Sequence, residues 1–313
     1  MSLSAADALL KKWWYYSVEL SPGQVAKGIY EPAVPLLPRQ ILRGADLTGA
    51  ECLDLGTMEG LMPTLMKRRG AARVLAVDAV DHCLEKLNFI RQAYGVEFDY
   101  ARVGLMYDLS RKLAKFGGYD LINMSGLLYH VFSPLHVIAS ARGLLKKNGL
   151  MIISTNVVNR NDQTMEWNAS GRLQVETNTF WYMSIPALED FIRYFGMKPI
   201  DALYLPMTKK PGANGLEMET GYMSVVCRAD DDSTPDPWTK RSQAQAWEYQ
   251  GLVDVPMMNA QPTSSIAYSS PRVAPAQDRY GLNLYAAAQA SAHRPPLAAC
   301  SQDGHELRLS DTF

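Results

Sequence analysis

Glu51-Cys52-Leu53-Asp54-Leu55-Gly56-Thr57-Met58-Glu59-Gly60 is the stretch whose reading decides the fold of this chain. It reads as a short buried strand, a tight turn with glycines four apart, and the start of a helix. A second apolar run, Arg73-Val74-Leu75-Ala76-Val77, ends on Asp78. A parallel βαβ unit places both strand ends at the same sheet edge, so Gly56, Gly60 and Asp78 would meet around one ligand. Gly56 lets the backbone turn and approach that ligand closely, and Gly60 lets helix and strand pack tightly. The Asp78 carboxylate, an acceptor with no donors, suits a pair of ribose hydroxyls, with Ala79 beside it.

The spacing excludes a dinucleotide fingerprint, which would read Gly-x-Gly-x-x-Gly with a pyrophosphate on the helix N-terminus. Here it is Asp-x-Gly-x-x-x-Gly, and acidic Asp54 and Glu59 flank the turn. Carboxylates there disfavour a phosphate and favour a cationic or zwitterionic ligand. Strand, glycine turn, helix, second strand and acidic end together resemble motif I of the class I S-adenosylmethionine-dependent methyltransferases. Asp78 matches the ribose-binding acidic residue of that family. The resemblance implies a Rossmann-like α/β fold, a seven-stranded sheet with helices on both faces, and S-adenosyl-L-methionine as cofactor.

The rest of the chain alternates strand and helix as a parallel sheet requires. Strands are expected at Glu51–Leu55, Arg73–Val77, near Glu97–Val103, at Tyr119–Met124 and at Leu150–Thr155 after a break at Gly149. Helices are expected from about Leu61 to Arg69, His82 to Tyr94, Ser133 to Leu145 and Pro186 to Phe195. The last strands, near Ile200–Leu205 and Gly221–Arg228, form a hairpin-like pair. Residues 1–45 form a lead-in: a helical Ala5–Leu10, four aromatics at Trp13-Trp14-Tyr15-Tyr16, a Ser21-Pro22-Gly23 turn, then Pro32, Pro35 and Pro38 breaking the segment before a helix resumes at Arg39. The resemblance implies a methyltransferase domain over residues 46–228. Beyond Asp230-Asp231-Asp232, Ala, Ser, Pro and Gln predominate with little apolar periodicity, so 229–313 reads as an extended or partly disordered tail.

Composition narrows the partners. The 313 residues are 47% hydrophobic, with net charge −1 and no basic run, which argues against a polyanionic partner such as nucleic acid. Four cysteines, at 52, 83, 227 and 300, form no CxxC pair, and three lie in core-forming segments; this favours reduced thiols and a cytoplasmic setting. No apolar run approaches membrane-spanning length, no leader-like segment opens the chain, and no metal-ligand spacing appears. A homo-oligomer is compatible with these features, which leave the oligomeric state open.

The second motif follows the fourth strand: Ser125-Gly126-Leu127-Leu128-Tyr129-His130-Val131-Phe132-Ser133-Pro134-Leu135. Its Gly-x-Leu-Tyr-His run resembles the branch that includes the tRNA wobble-uridine carboxymethyl transferases and many small-molecule methyltransferases. The resemblance extends more loosely from about Trp14 to Arg228. It implies that Leu105 and Met106 flank the adenine and that Met124, Ser125 and Tyr129 approach the methionine moiety. The tRNA enzymes place an arginine near the last strand for a carboxylated cofactor, whereas this chain has Gly221-Tyr222-Met223. An uncompensated carboxylate in a closed site is costly, so ordinary S-adenosylmethionine is favoured.

Methyl transfer needs alignment of nucleophile, methyl and sulfur, and a hydroxyl or amine acceptor also needs a base within reach. His130 leads, because loops after the fourth strand face the methyl in this fold; its alternative role is to fix the loop. Glu166 is the second candidate base. Trp14, Tyr15, Trp167, Phe180, Trp181 and Tyr182 are the candidate substrate wall, suited to an apolar, planar or isoprenoid-like molecule. The expected function is methylation of a small, largely apolar metabolite, with O-methylation favoured over C- or N-methylation. The alternatives are tRNA wobble-uridine modification and a non-catalytic binding module.

Overall fold

The lead-in folds into a hairpin, β1 (Val18–Ser21) and β2 (Gln24–Ala26), followed by helix α1 (Ala33–Leu42). This is a computed structural model, and it describes residues 8–9, 11–29, 33–212, 215–230, 235–271, 281–292 and 309. Most of the helix expected at Ala5–Leu10, together with Pro32, Asp231-Asp232 and Cys300, lies outside the described residues. The expected turn at Pro22-Gly23 closes the hairpin, with Gly23 at φ 76°. The expected break at Pro35 and Pro38 is corrected: α1 runs through both. Pro35 falls in the first turn, where the missing N–H has no partner to lose, and Pro38 gives up a single bond.

The core follows as β3 (Glu51–Leu55), α2 (Leu61–Arg68), β4 (Arg73–Asp78), α3 (Leu84–Tyr94), β5 (Asp99–Arg102), the short α4 (Leu109–Leu113), β6 (Tyr119–Ser125), α5 (Pro134–Leu144) and β7 (Leu145–Val158). After these come β8 (Met165–Trp167), β9 (Trp181–Ser184), α6 (Ile185–Tyr194), β10 (Met197–Pro206), the two-residue strands β11 (Lys210–Pro211) and β12 (Glu217–Met218), and β13 (Thr220–Ala229). The main sheet runs β10-β13-β7-β6-β3-β4-β5, with β8 and β9 appended to β7. β3 to β7 are parallel, and β13 lies antiparallel between β7 and β10.

Apolar residues of α1, α2 and α3, such as Ile41, Leu65 and Leu87, pack with one sheet face. Those of α5 and α6, such as Ile138 and Leu188, pack with the other, which gives the three-layer arrangement. Strand order reverses at β3, whose neighbours are β4 and β6, so the crevice above β3 is where an open α/β sheet binds ligands. Two boundaries differ from expectation. β7 begins at Leu145 and passes through Asn148, at φ 60°, and Gly149, because Lys147 bridges to Thr263 from the far end of the chain. β8 and β9 pair antiparallel in a segment expected to be a substrate wall.

The expectation of a low-order tail is corrected for its described part. Helices α7 (Pro237–Gln250), α8 (Val255–Ala260) and α9 (Leu284–Ala292) lie there. Val253, Leu282, Leu284 and Ala288 are buried in the main core. The Gln261 carboxamide donates to Gly143 O at 2.9 Å, Ser264 Oγ donates to Asp120 at 2.6 Å, and Tyr268 Oη donates to Asp201 at 2.7 Å. Single apolar plugs and side-chain hydrogen bonds, not a periodic face, fix this segment. No helix among the described residues is long and apolar enough to cross a membrane.

Candidate active site

A cavity of about 710 Å³ opens above the carboxyl ends of β3, β4 and β6. Its floor is the glycine turn. Gly56 adopts φ 72°, and the Gly56 and Thr57 N–H groups both donate to Val77 O, at 2.9 and 3.1 Å, folding the turn back onto β4. Met58 is held at φ 51°, a conformation most side chains avoid. Its N–H donates to Asp78 Oδ2 at 3.0 Å, while Ala79 N–H donates to Asp78 Oδ1 at 2.7 Å. Asp78 thus braces the turn, and it also faces the cavity with acceptor capacity to spare.

Asp54 lies deeper, 2% exposed, and accepts from Asn123 Nδ2 at 2.7 Å across the β3–β6 register. Burial pushes its carboxyl up to about 6 against the opposing Asn123 bond. A polar chain continues sideways: Ser125 Oγ donates to Asn123 Oδ1 at 2.7 Å and lies 3.0 Å from Ser154 Oγ, itself 2.6 Å from Ser224 Oγ. Every buried hydroxyl in the row therefore has a partner, as buried polar groups require.

His130 stands on the opposite wall in a short turn after β6. Its Nδ1 lies 3.1 Å from Asn178 O. Burial lowers its pKa below the ordinary imidazole value, with the Asn178 bond and the Glu176 charge opposing. A backbone carbonyl only accepts, so Nδ1 carries the proton and Nε2 keeps a lone pair. The loop supplying Asn178 is fastened by Asn168: its Oδ1 accepts from Leu173 N and Gln174 N, and its Nδ2 donates to Gln174 O and Thr179 O. Phe180 N–H completes the join by donating to Tyr129 O at 2.7 Å.

Of the residues singled out from sequence, Asp54, Gly56, Asp78, Ala79, Leu105, Met106, Ser125, Tyr129, His130, Tyr15 and Phe180 line this cavity. The others do not. Gly60 faces α3, where an added Cβ would come within 3.3 Å of Leu87. Met124 is fully buried in the core, on the opposite sheet face from Asn123 and Ser125. Trp14 is fully buried, its Nε1–H donating to Leu9 O. Glu166 is bound by Arg172 at 2.6 Å and Arg160 at 3.7 Å, outside the cavity. Tyr182 points into a small satellite core with Val158 and Leu173. Trp181 packs on Trp167 at 4.7 Å and donates to Phe132 O, and Trp167 stacks on Phe180 from outside.

Glu59, one of the two carboxylates expected to favour a cationic ligand at the turn, does not line the cavity. It is fully buried and turned toward the lead-in, accepting from Tyr15 N, Tyr16 N and Lys86 Nζ at 2.8–3.1 Å. It fastens the aromatic lead-in to the glycine turn, and Lys86 lies 4.2 Å from the Trp13 ring centroid. Sequence reasoning missed His82, Glu176 and Tyr222, all in the cavity wall. Of these, only Tyr222 fell in a stretch singled out from sequence, Gly221-Tyr222-Met223.

No Lys or Arg occurs among the described residues of the wall, whereas Asp54, Asp78 and Glu176 do. These carboxylate acceptors fit a cationic nucleoside and oppose a phosphate. The architecture and this site define the class I methyltransferase fold. A family model described as a methyltransferase domain matches residues 30–201, more than half of the chain, and the chain belongs to that family. The matched segment is thus a methyltransferase domain.

Among curated relatives, the ubiquinone biosynthesis O-methyltransferase of Marinobacter nauticus is 30% identical over 158 residues, covering 50% of this chain and 62% of that protein. The protein of the same name from Histophilus somni is 28% identical over 158 residues, covering 49% and 62%. The aligned part thus spans about three fifths of the length of these relatives. Among solved structures, the N-terminal domain of EvdMO1 with SAH bound has a TM-score of 0.49 at 18% identity, over 72% of this chain and 94% of that one.

Proposed function

We propose that this protein transfers the methyl group of S-adenosyl-L-methionine to a hydroxyl oxygen of a small, largely apolar molecule. The observation that carries the reading is His130, a neutral imidazole in the same cavity as Asp78, with Nδ1 committed to Asn178 O and Nε2 left to accept. When bound, the cofactor supplies an electrophilic methyl on a sulfonium, and the C–S electron pair returns to sulfur on transfer. Asp78 would hold the ribose hydroxyls and Asp54 would face the positive part of the ligand. His130 Nε2 would take the hydroxyl proton as the O–C bond forms. Leu105, Met106, Phe180 and the Tyr15–Tyr16 pair exclude water and provide an apolar frame.

The names of the relatives favour a hydroxyl over an amine or carbon acceptor. The lack of any lysine or arginine among the described wall residues favours the ordinary cofactor over a carboxylated one. The test is calorimetry with S-adenosylhomocysteine. Micromolar binding that weakens at least tenfold in Asp78→Ala, with unchanged circular dichroism, supports the reading, and no binding by the unaltered protein removes it.

A further inference from the structure

Glu176 sits in the loop that supplies the Asn178 carbonyl to His130, and it lines the cavity. No ion pair or side-chain hydrogen bond to another described residue engages its carboxylate. Every other carboxylate of the wall is engaged: Asp54 by Asn123, and Asp78 by the N–H groups of Met58 and Ala79. The charge of Glu176 reaches both sides of the acceptor half: on one wall it opposes the burial that lowers the pKa of His130, and on the other it adds to the burial that raises that of Tyr15. Across the described wall no lysine or arginine offsets it.

We propose that Glu176 is a specificity residue that selects acceptors carrying an ammonium or other hydrogen-bond donor beyond the methylated hydroxyl, and rejects acceptors carrying a carboxylate or phosphate. This rests on the methyl-transfer reading above. A half-buried carboxylate without a partner is poorly solvated, and a donor on the acceptor restores the lost hydrogen bond. An anion in the same place faces three carboxylates through a medium of low dielectric and must shed its own hydration. A neutral phenol or alcohol loses its proton to His130 only at transfer, so no free anion has to enter.

The test uses the full chain saturated with S-adenosylhomocysteine and three probes that share one vicinal diol and differ in charge: 4-(2-aminoethyl)benzene-1,2-diol, 4-ethylbenzene-1,2-diol and 3,4-dihydroxybenzoate. Calorimetry is expected to rank them in that order, with the carboxylate at least tenfold weaker than the amine. In Glu176→Gln that gap should narrow at least fivefold while affinity for S-adenosylhomocysteine stays within twofold. The His130 imidazole, followed by NMR, should titrate lower in the variant, a shift that needs no acceptor. The proposal is overturned if the carboxylate binds as well as the amine, if the ranking survives in Glu176→Gln, or if none of the three binds. Failure of S-adenosylhomocysteine itself to bind overturns the methyl-transfer reading and this one with it, so the two failures are distinguishable.

Discussion

His130 Nδ1 lies 3.1 Å from the carbonyl oxygen of Asn178, so the loop roofing the cavity also fixes which nitrogen of the ring holds the proton. Two consequences are measurable. His130→Ala should lower kcat by about 10²–10⁴-fold with little change in cofactor affinity, the usual range for a positioned base. Only the neutral ring accepts a proton and its pKa is lowered, so activity should rise with pH along a limb centred below the ordinary imidazole value. A variant of unchanged activity would leave His130 as a loop anchor.

Asn168 makes four hydrogen bonds to the backbone of the 173–179 loop. Asn168→Ala leaves those groups to water and frees the loop. The expected result is a drop in kcat of roughly tenfold or more, of the size a misplaced base produces, with cofactor binding nearly unchanged. Equal loss of cofactor affinity would show a general collapse of the site instead.

Asp54 holds its proton up to about pH 6 because it is buried. A cationic ligand favours the ionised form, so affinity for S-adenosylmethionine should fall as pH drops below that value, by at most tenfold per unit. Stability of the free protein moves the other way. The folded state keeps this proton to higher pH than the unfolded chain, so this group's contribution declines as pH rises from about 4, the ordinary value, to about 6. Asp54→Asn should flatten both dependences, which titrations of binding and of thermal midpoint would show.

The Glu59–Lys86 pair is buried, its side chains 0% and 8% exposed, with the ions 2.8 Å apart. Removing one partner of such a pair costs about 3–5 kcal/mol. Glu59→Ala also strips the acceptor from Tyr15 and Tyr16 N–H, so Cm in urea should fall and the lead-in should become protease-sensitive. A fall in Cm with the lead-in still protected would locate the lost energy elsewhere.

Ending the chain after Ala229 removes Val253, Leu282, Leu284 and Ala288 from the core and uncovers their contacts. Full burial of a side chain the size of Leu contributes about 1.5–3 kcal/mol, so the shortened protein should unfold at distinctly lower denaturant and bind a hydrophobic dye. Unchanged stability would make the tail peripheral, as its composition suggests.

The βαβ unit and its acidic end were legible because each step is local: a short apolar run, a glycine turn, a run ending in Asp78. The tail was not, since α7 has no buried residue and hence no apolar stripe. Its signals were caps instead. Asp236 accepts from Trp238 and Thr239 N–H, Pro237 follows at the first turn, and Gly251 closes the helix at φ 59°. The aromatics of β9 misled because strand alternation sends Tyr182 inward and Trp181 outward, a pattern hidden until β8 pairs with it. Glu176 and Glu59 show the same limit. Nothing in a lone glutamate says whether a lysine will fold against it.

The recognisable family segment, 30–201, ends short of three residues that wall the cavity: Tyr15 and Tyr16 before it and Tyr222 beyond. A chimera exchanging that segment with a relative would therefore swap most of the cavity, Glu176 and Phe180 included, but keep the host's Tyr15, Tyr16 and Tyr222. Part of the acceptor wall can therefore drift in the flanks while Glu176 and Phe180 stay with the shared segment, so grouping such proteins by that segment captures only part of what shapes the pocket.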